Sequence, residues 1–265
     1  MYRKHFGLKE KPFFKVYDHR FLYQSSQHKE LMARLHFSVM EKEMAVVSGE
    51  IGSGKTTSCI DFIQGLKSKC KIAYLFNPGF CERDFLSEII IQLGNEEAKW
   101  FRRNLLEQLQ KAVDRCYDEL NMEPIVLIDE AQVLSAQTLE NIRLLTNYQI
   151  NTDKLLTIIL IGQPELKRKL SLNTSEAFNQ RVGIKFHLYG LNNQETFDYI
   201  KHRLHTAGGD ASIFTSLAIE KIYEMSNGLP RKINKLASIS LLHACLLRKD
   251  TIDDGIIVQA AKEIE

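Results

Sequence analysis

The chain has 265 residues, 44% of them hydrophobic, which is enough apolar material to bury the core of one large domain or of two smaller ones. Its 35 basic and 33 acidic residues give a net charge of +2. That balance neither requires nor excludes a nucleic-acid partner, so any surface that binds nucleic acid has to be local.

The cysteines and the apolar stretches bear on the cellular compartment. The five cysteines are odd in number and lack the short paired spacing of a zinc site or a disulfide framework, so we expect reduced thiols. Residues 1–7 lack the apolar core of a signal peptide, and no stretch approaches the roughly 18 continuous apolar residues of a membrane-spanning helix. We therefore expect a soluble cytoplasmic protein without a direct membrane span.

The N-terminal arm, residues 1–42, opens with aromatic residues set among lysines and arginines, and Pro12 argues against one continuous helix there. Aromatic side chains in such a setting stack on nucleic-acid bases or, more commonly, pin an extended arm to a domain surface. A third use is an apolar slot for adenine, for which Tyr23 is our candidate. Residues 26–40 show the spacing of an amphipathic helix.

Residues 49–56 match the phosphate-binding loop pattern G-x-x-x-x-G-K-[ST]. Glycine lets successive backbone N–H groups converge on phosphate oxygens, the lysine supplies a positive charge, and the threonine hydroxyl is a ligand for Mg²⁺. A strand-like run precedes the loop and a helix-like run follows it, which disfavours the alternative of an incidental Gly/Ser-rich turn. The predicted nucleotide contacts are Gly49, Glu50, Ile51, Gly52, Ser53, Gly54, Lys55, Thr56 and Thr57.

The next part of the chain predicts a second strand over residues 71–76, a turn at 77–79 and helical structure from 82 to about 120. Trp100, the only tryptophan, stands there beside cations at 99, 102 and 103. This cluster can contact a phosphate backbone or a partner protein. The alternative is a helix face with the tryptophan packed beneath it and the cations solvated.

Residues 125–128 form an unbroken apolar run that ends in Asp129 and Glu130. Such a run is typical of a strand buried in a parallel sheet, and active sites lie at the carboxyl ends of such strands. We expect Asp129 to hold Mg²⁺ through its water shell and Glu130 to polarise the water that attacks the γ-phosphate. The alternative, an acidic pair that caps a helix, is disfavoured by the phosphate loop.

A further apolar run, residues 155–161, places Gln163 at the same rim of the sheet. Its amide would sense the γ-phosphate or orient the attacking water, unless it is an ordinary loop residue. Arg181 follows, before a stretch at residues 184–188 in which apolar and polar residues alternate.

From residue 191 onward, helical spacing predicts four helices, over 193–206, 216–226, 231–247 and 252–263. Arg231 falls at the start of the third, where it stands with Lys232 and Lys235 on what is usually a solvated face.

Together these motifs resemble the AAA+ ATPases of the ExeA/GspA type, and the resemblance covers nearly all of the chain. It rests on residues 6–8, 12–13, 20–23, 49–56, 126–132, 160–166, 180–181 and 228–234. It implies Mg²⁺-dependent hydrolysis of ATP in a homo-oligomer, either a ring or a filament. Arg181 would be the arginine finger that reaches a neighbouring subunit's γ-phosphate, and Arg231 would couple the nucleotide state to the lid. Gln163 departs from the Asn or Thr of broader AAA+ proteins but agrees with this family.

The resemblance leaves two biological roles open. Secretion-type members continue into a membrane span and a cell-wall-binding domain, which are absent from this sequence. A free-standing ATPase of this size is also similar to transposition regulators related to TnsC, TniB and MuB. We therefore expect first an ATP-dependent regulator whose partners are duplex DNA and a transposase. The alternative is an ATPase that drives assembly of a secretion or envelope complex and reaches the membrane through a separate partner.

The predicted fold class is α/β. We expect a P-loop NTPase (AAA+) domain over residues 1–190, including the arm, with a parallel sheet flanked by helices, and a C-terminal all-α lid domain over 191–265. The residues expected to act in hydrolysis are Lys55, Glu130, Gln163, Arg181 and Arg231.

Overall fold

The computed structural model describes residues 1–66, 68–76, 82–94, 102–147, 156–173 and 176–263. The described chain divides into two compact units, which we call the helical unit and the sheet unit. The helical unit comprises Met1–Lys29, Glu50–Thr57 and Tyr189–Glu265, and the sheet unit comprises Glu30–Gly49 and Ser58–Leu188.

The sheet unit is built on five strands in the described part of the chain. They are β1 Met44–Gly49, β2 Cys70–Phe76, β3 Glu123–Asp129, β4 Thr157–Gly162 and β5 Val182–Leu188. The strand order is β2-β3-β4-β1-β5, and every pair of neighbours is parallel. The predicted α/β fold with a parallel sheet is therefore confirmed.

Helices cover both faces of this sheet and also make up the helical unit. Their bounds are α1 Tyr2–His5, α2 Ser26–Met40, α3 Lys55–Leu66, α4 Glu82–Gly94, α5 Arg102–Asp118, α6 Ala136–Asn147, α7 Pro164–Asn173, α8 Glu176–Arg181, α9 Asn193–Thr206, α10 Ser216–Ser226, α11 Pro230–Leu246 and α12 Asp254–Lys262. Among the described residues no helix is both long enough and apolar enough to cross a membrane.

The central strands β1, β3 and β4 are buried along nearly their whole length because both of their faces are covered. Successive side chains of a strand point to opposite faces. Val126 and Ile128 therefore join one buried cluster with residues of α4–α7, and Ile125 and Leu127 join a second cluster with residues of α2 and α3. This double coverage is the physical reason that the apolar runs identified the strands.

The parallel arrangement brings three chain positions to one edge of the sheet. Gly49 ends β1, Asp129 ends β3 and Gly162 ends β4, and all three strands run in the same direction. The carboxyl ends of parallel strands are where ligands of open α/β sheets bind. The sequence places the phosphate loop directly after Gly49, Glu130 directly after Asp129, and Gln163 directly after Gly162.

The helical unit has its own buried core, and the first 29 residues of the N-terminal arm contribute to that core. Leu8, Phe13 and Phe21 are buried in one cluster with apolar residues of α9, α10, α11 and α12. The arm is thus pinned to the C-terminal helices, which is the more common of its predicted uses. The predicted division at residue 190 differs from this grouping at residues 1–29, 50–57 and 189–190, and that domain boundary remains a prediction.

Arg203 of α9 anchors the arm within the helical unit. Its side chain is buried, and its Nε donates a hydrogen bond of 2.6 Å to the carbonyl oxygen of Pro12. Its guanidinium carbon lies 4.8 Å from the ring centre of Phe14 and 5.1 Å from that of Phe21. A buried cation that is bonded to the backbone and held over two rings fixes the arm more firmly than apolar burial alone.

Replacing this residue, Arg203→Met, is expected to loosen the arm while keeping most of the side-chain volume. The loss of the charged hydrogen bond and of the ring contacts should cost about 1–3 kcal/mol, partly offset because no charge is then buried. Trypsin cleavage after Lys11 and Lys15, followed over time, measures this release. The exposed Lys262→Met is the matched control. Equal cleavage rates in both variants would contradict the anchoring role.

Two sequence predictions lie outside the described residues: the turn at 77–79 and the surroundings of Trp100. Three helices of the sheet unit were not predicted at all, namely α6, α7 and α8. Two of them have a local start signal: Ser135 caps α6 by accepting the N–H of Thr138 at 3.0 Å, and Pro164 occupies the first position of α7.

Candidate nucleotide-binding site

The phosphate loop bends at two glycines of the helical unit. Gly52 has φ +86° and Gly54 has φ +104°, both in the left-handed region that side chains disfavour. The bend is closed by the N–H of Ser53, which donates to the carbonyl oxygen of Glu50 at 3.1 Å. The predicted loop conformation therefore depends on glycine at 52 and 54 in particular.

The start of α11 lies directly against this loop, within the same unit. The backbone N–H of Arg231 donates to the carbonyl oxygen of Gly52 at 3.3 Å. A Cβ atom added at Gly52 would lie 2.6 Å from the Cβ of Arg231, closer than real contacts allow. Two residues predicted to contact the nucleotide from distant parts of the sequence are therefore neighbours in space.

The loop has the chemistry to hold a phosphate group. Lys55 is buried, and its Nζ donates to the carbonyl oxygen of Glu50 at 2.9 Å. The hydroxyl of Ser53 is buried and has no hydrogen-bond partner among the described residues. Lys55 is also the first residue of α3, so the positive end of that helix dipole adds to its charge. A buried cation, an unpartnered hydroxyl and a helix N-terminus together fit an anion.

The substitution Gly52→Ala is expected to weaken nucleotide binding. Alanine disfavours φ +86°, and its Cβ would collide with Arg231, so either the loop or α11 has to move. A loss of affinity of about 10-fold or more is expected, equivalent to about 1.4 kcal/mol, as measured by titration with a fluorescent ATP analogue. Gly65→Ala is the matched control, since a Cβ there meets no atom of the described residues within 4 Å. Equal affinities would contradict the proposed loop geometry.

In the sheet unit, Asp129 ends β3 and is fully buried. Its Oδ1 accepts the backbone N–H of Glu130 at 2.9 Å, and its Oδ2 accepts the hydroxyl of Tyr74 at 3.4 Å. Burial raises the pKa of the Tyr74 hydroxyl, and the charge of Asp129 raises it further. Tyr74 therefore remains a neutral donor that orients the carboxylate, a role that its place in a predicted strand did not signal.

Glu130 is held in a specific and strained position. Its φ of +56° and ψ of +34° lie in the left-handed region, which is uncommon for a residue with a side chain. Its Oε2 accepts hydrogen bonds from the Nε2 of Gln132 at 2.6 Å and from the Nε2 of Gln163 at 3.2 Å. The structure therefore brings together two of the predicted residues, Glu130 and Gln163. Backbone strain of this kind is concentrated at functional sites.

Gln132 was not predicted as a site residue, although it was part of the motif that carried the family resemblance. Its Oε1 accepts the backbone N–H of Gln163 at 3.0 Å, in addition to its bond with Glu130. Its backbone carbonyl accepts a hydrogen bond of 3.0 Å from the Nζ of Lys169 on α7. The only sequence signal for this role is an amide two positions after the glutamate.

The remaining predicted residues lie in distinct places. Arg181 is exposed and ends α8, immediately before β5. Tyr23 is half-buried in the helical unit, with its ring centre 6.0 Å from that of Tyr199 and 6.1 Å from that of His202. Thr56 and Thr57 lie in the first turn of α3. The individual roles of all these residues remain predictions.

Comparison with known proteins identifies the class. A family described as an AAA domain matches residues 39–170. General secretion pathway protein A of Aeromonas hydrophila is 35% identical over 265 residues, which is 100% of this chain and 48% of that protein. The chain thus spans about half the length of this relative.

Solved structures share the fold at low sequence identity. The Aeropyrum pernix ORC2 protein has a TM-score of 0.68 and 17% identity, over 99% of this chain and 72% of that one. The Thermotoga maritima RuvB branch migration motor has a TM-score of 0.60 and 18% identity, over 91% and 70%. The parallel sheet, the phosphate loop and the matched domain define an AAA+ protein of the P-loop class. Within that class, the chain belongs to the ExeA/GspA type.

Proposed function

We propose that this protein binds ATP at the loop 49–56 and hydrolyses it. The observation that carries the proposal is the loop itself, with two left-handed glycines, the buried Lys55 and the unpartnered hydroxyl of Ser53 beside the start of α11. A buried cation and an unpartnered buried donor are costly in a fold unless a ligand compensates them.

Each predicted residue receives one role in this proposal. Lys55 and the loop N–H groups bind the phosphates, and Arg231 reports the nucleotide state to α11. Thr56 would supply a hydroxyl oxygen and Asp129 a carboxylate oxygen for Mg²⁺, and the ion would offset phosphate charge. Glu130 takes the proton of the attacking water, and Gln163 steadies the glutamate. Tyr23 is the proposed adenine contact.

The geometry of the sheet unit supports hydrolysis in an oligomer. Arg181 precedes Val182, which pairs with Met44 at the start of β1, whereas Gly49 at the end of β1 pairs with Leu188. Strand rise puts these two ends about 20 Å apart. Arg181 and Glu130 therefore lie at opposite edges of one sheet, so we propose that Arg181 acts on the nucleotide of a second copy, in a ring or a filament.

We further propose that hydrolysis drives the assembly of a secretion or envelope complex. The support is the relative named General secretion pathway protein A, which is aligned over the whole of this chain. A membrane-bound secretion component would then be the partner. This order reverses the expectation from the sequence, because neither the transposition role nor a transposase partner is supported by these relatives.

One experiment tests both the ATPase activity and whether that activity and the assembly of the protein depend on DNA. The purified chain is incubated with ATP or a slowly hydrolysed analogue, with and without duplex DNA, and phosphate release and electron micrographs are recorded. We expect ATP-dependent rings or filaments and phosphate release that DNA leaves unchanged. Assembly that requires DNA and weakens steeply with salt would instead favour the DNA-dependent role. The absence of ATP binding would overturn the proposal.

A further inference from the structure

We infer that Gln132 is a positioning residue that sets the orientation of Glu130 for water activation, an inference that rests on the proposed hydrolysis. The Gln132 side chain connects the ends of two neighbouring strands. Its Nε2 donates to Glu130 Oε2 at 2.6 Å, just after β3, and its Oε1 accepts the backbone N–H of Gln163 at 3.0 Å, just after β4.

The chemistry of the two partners fixes which way the amide points. A backbone N–H can only donate, and an ionised carboxylate can only accept. The group between them therefore has to present an acceptor on one side and a donor on the other, which a primary amide does within one rigid plane. The assignment of its oxygen and nitrogen follows from these neighbours, although the two atoms have nearly the same size.

The surrounding structure is built to hold this amide. A Cβ atom at Gly162 would lie 2.7 Å from Gln132 Oε1, so glycine at the end of β4 leaves the space that the amide occupies. Lys169 of α7 donates to the backbone carbonyls of Gln132 and of Leu134. The backbone and the side chain of Gln132 are thus both tied to the segment that follows β4.

The consequence concerns the two oxygens of Glu130. The side chains of Gln132 and Gln163 both donate to Oε2 of Glu130, so the two hydrogen bonds fall on the same carboxylate oxygen. Two donors on one oxygen define the plane of the carboxylate and leave Oε1 to accept a proton from water. Small displacements of a catalytic group lower rates substantially, which gives this orientation a kinetic value.

Two substitutions distinguish a residue that orients Glu130 from one that only holds the ends of β3 and β4 together. Gln132→Glu keeps an acceptor for the Gln163 N–H but turns a carboxylate toward Glu130, whereas Gln132→Met removes both bonds at similar length. If Gln132 positions Glu130, both variants should lose about 10- to 100-fold in kcat, with the glutamate variant at least as slow. If Gln132 only braces β3 against β4, the glutamate variant should be nearly as active as the wild type.

Steady-state phosphate release gives kcat, and titration with a fluorescent ATP analogue gives the dissociation constant, which should change less than about two-fold. Gln137→Glu, on the exposed face of α6, is the matched control for the added charge. Gly162→Ala should reproduce the loss in kcat, because its Cβ displaces the Gln132 amide. In a chain that already carries Glu130→Gln, adding Gln132→Met should cause no further loss in kcat.

The outcomes separate this inference from the proposed function. A Gln132→Glu variant as fast as the wild type overturns the positioning role and leaves ATP hydrolysis intact. A loss explained entirely by weaker nucleotide binding also overturns it. A wild-type chain that binds ATP but releases no phosphate, even when assembled, removes the proposed function and this inference together.

Discussion

Replacing Glu130 with glutamine is expected to leave ATP bound and to remove nearly all turnover. Glutamine has the same shape, and its oxygen can still accept hydrogen bonds from Gln132 and Gln163, which now donate at 2.6 Å and 3.2 Å. It cannot take a proton from water. Loss of a general base costs about 10²–10⁴-fold in rate, so phosphate release should fall by that factor.

Comparison with nucleotide affinity shows whether the loss lies in the chemical step. The dissociation constant of an ATP analogue should stay within about two-fold of the wild-type value, because the role proposed for Glu130 lies in the chemical step and not in binding. Glu41→Gln, exposed just after α2, is the matched control and should retain full activity. A Glu130→Gln variant that hydrolyses ATP at the wild-type rate would assign the base to another residue.

The strands and the C-terminal helices could be predicted from the sequence because their signals are local. Residues 125–128 are apolar without a break since β3 is buried on both faces, and α9 and α10 have the predicted bounds to the residue. Pro230 at the first position of α11 is an equally local signal. Patterns of this kind can be recognised within a few consecutive residues, because a strand or helix has a fixed spacing between the side chains that face the core.

The contacts that shape the candidate site are not local, and the sequence did not predict them. The bond between Gln132 and Gln163 joins residues that are 31 positions apart, because β3 and β4 are neighbours in the sheet. The contact of Gly52 with Arg231 spans a still greater separation. Gln132 is one polar residue among many in the sequence. Only the strand order brings its second partner, the backbone N–H of Gln163, next to it.

Replacing Arg181 with alanine is expected to abolish ATP hydrolysis. Mixing this variant with a second inactive variant is expected to restore part of the activity. Arg181 and Glu130 lie at opposite edges of the sheet unit, so the two act on one phosphate only if they come from different copies. Loss of an arginine finger costs about 10³–10⁵-fold in rate. A Lys55→Ala subunit should bind ATP poorly but still carry an intact Arg181.

Mixing the two inactive variants should therefore restore activity at the interfaces where a Lys55→Ala subunit presents Arg181 to an Arg181→Ala subunit that holds ATP. With random mixing at equal concentrations, about a quarter of the interfaces have this arrangement, so roughly a quarter of wild-type phosphate release is expected if the interfaces act independently. Arg168→Ala, an exposed arginine of α7 in the same unit, is the control and should remain active alone. No recovery in mixtures that assemble normally would remove Arg181 from this role, because assembly without complementation means that the arginine does not reach the neighbouring nucleotide.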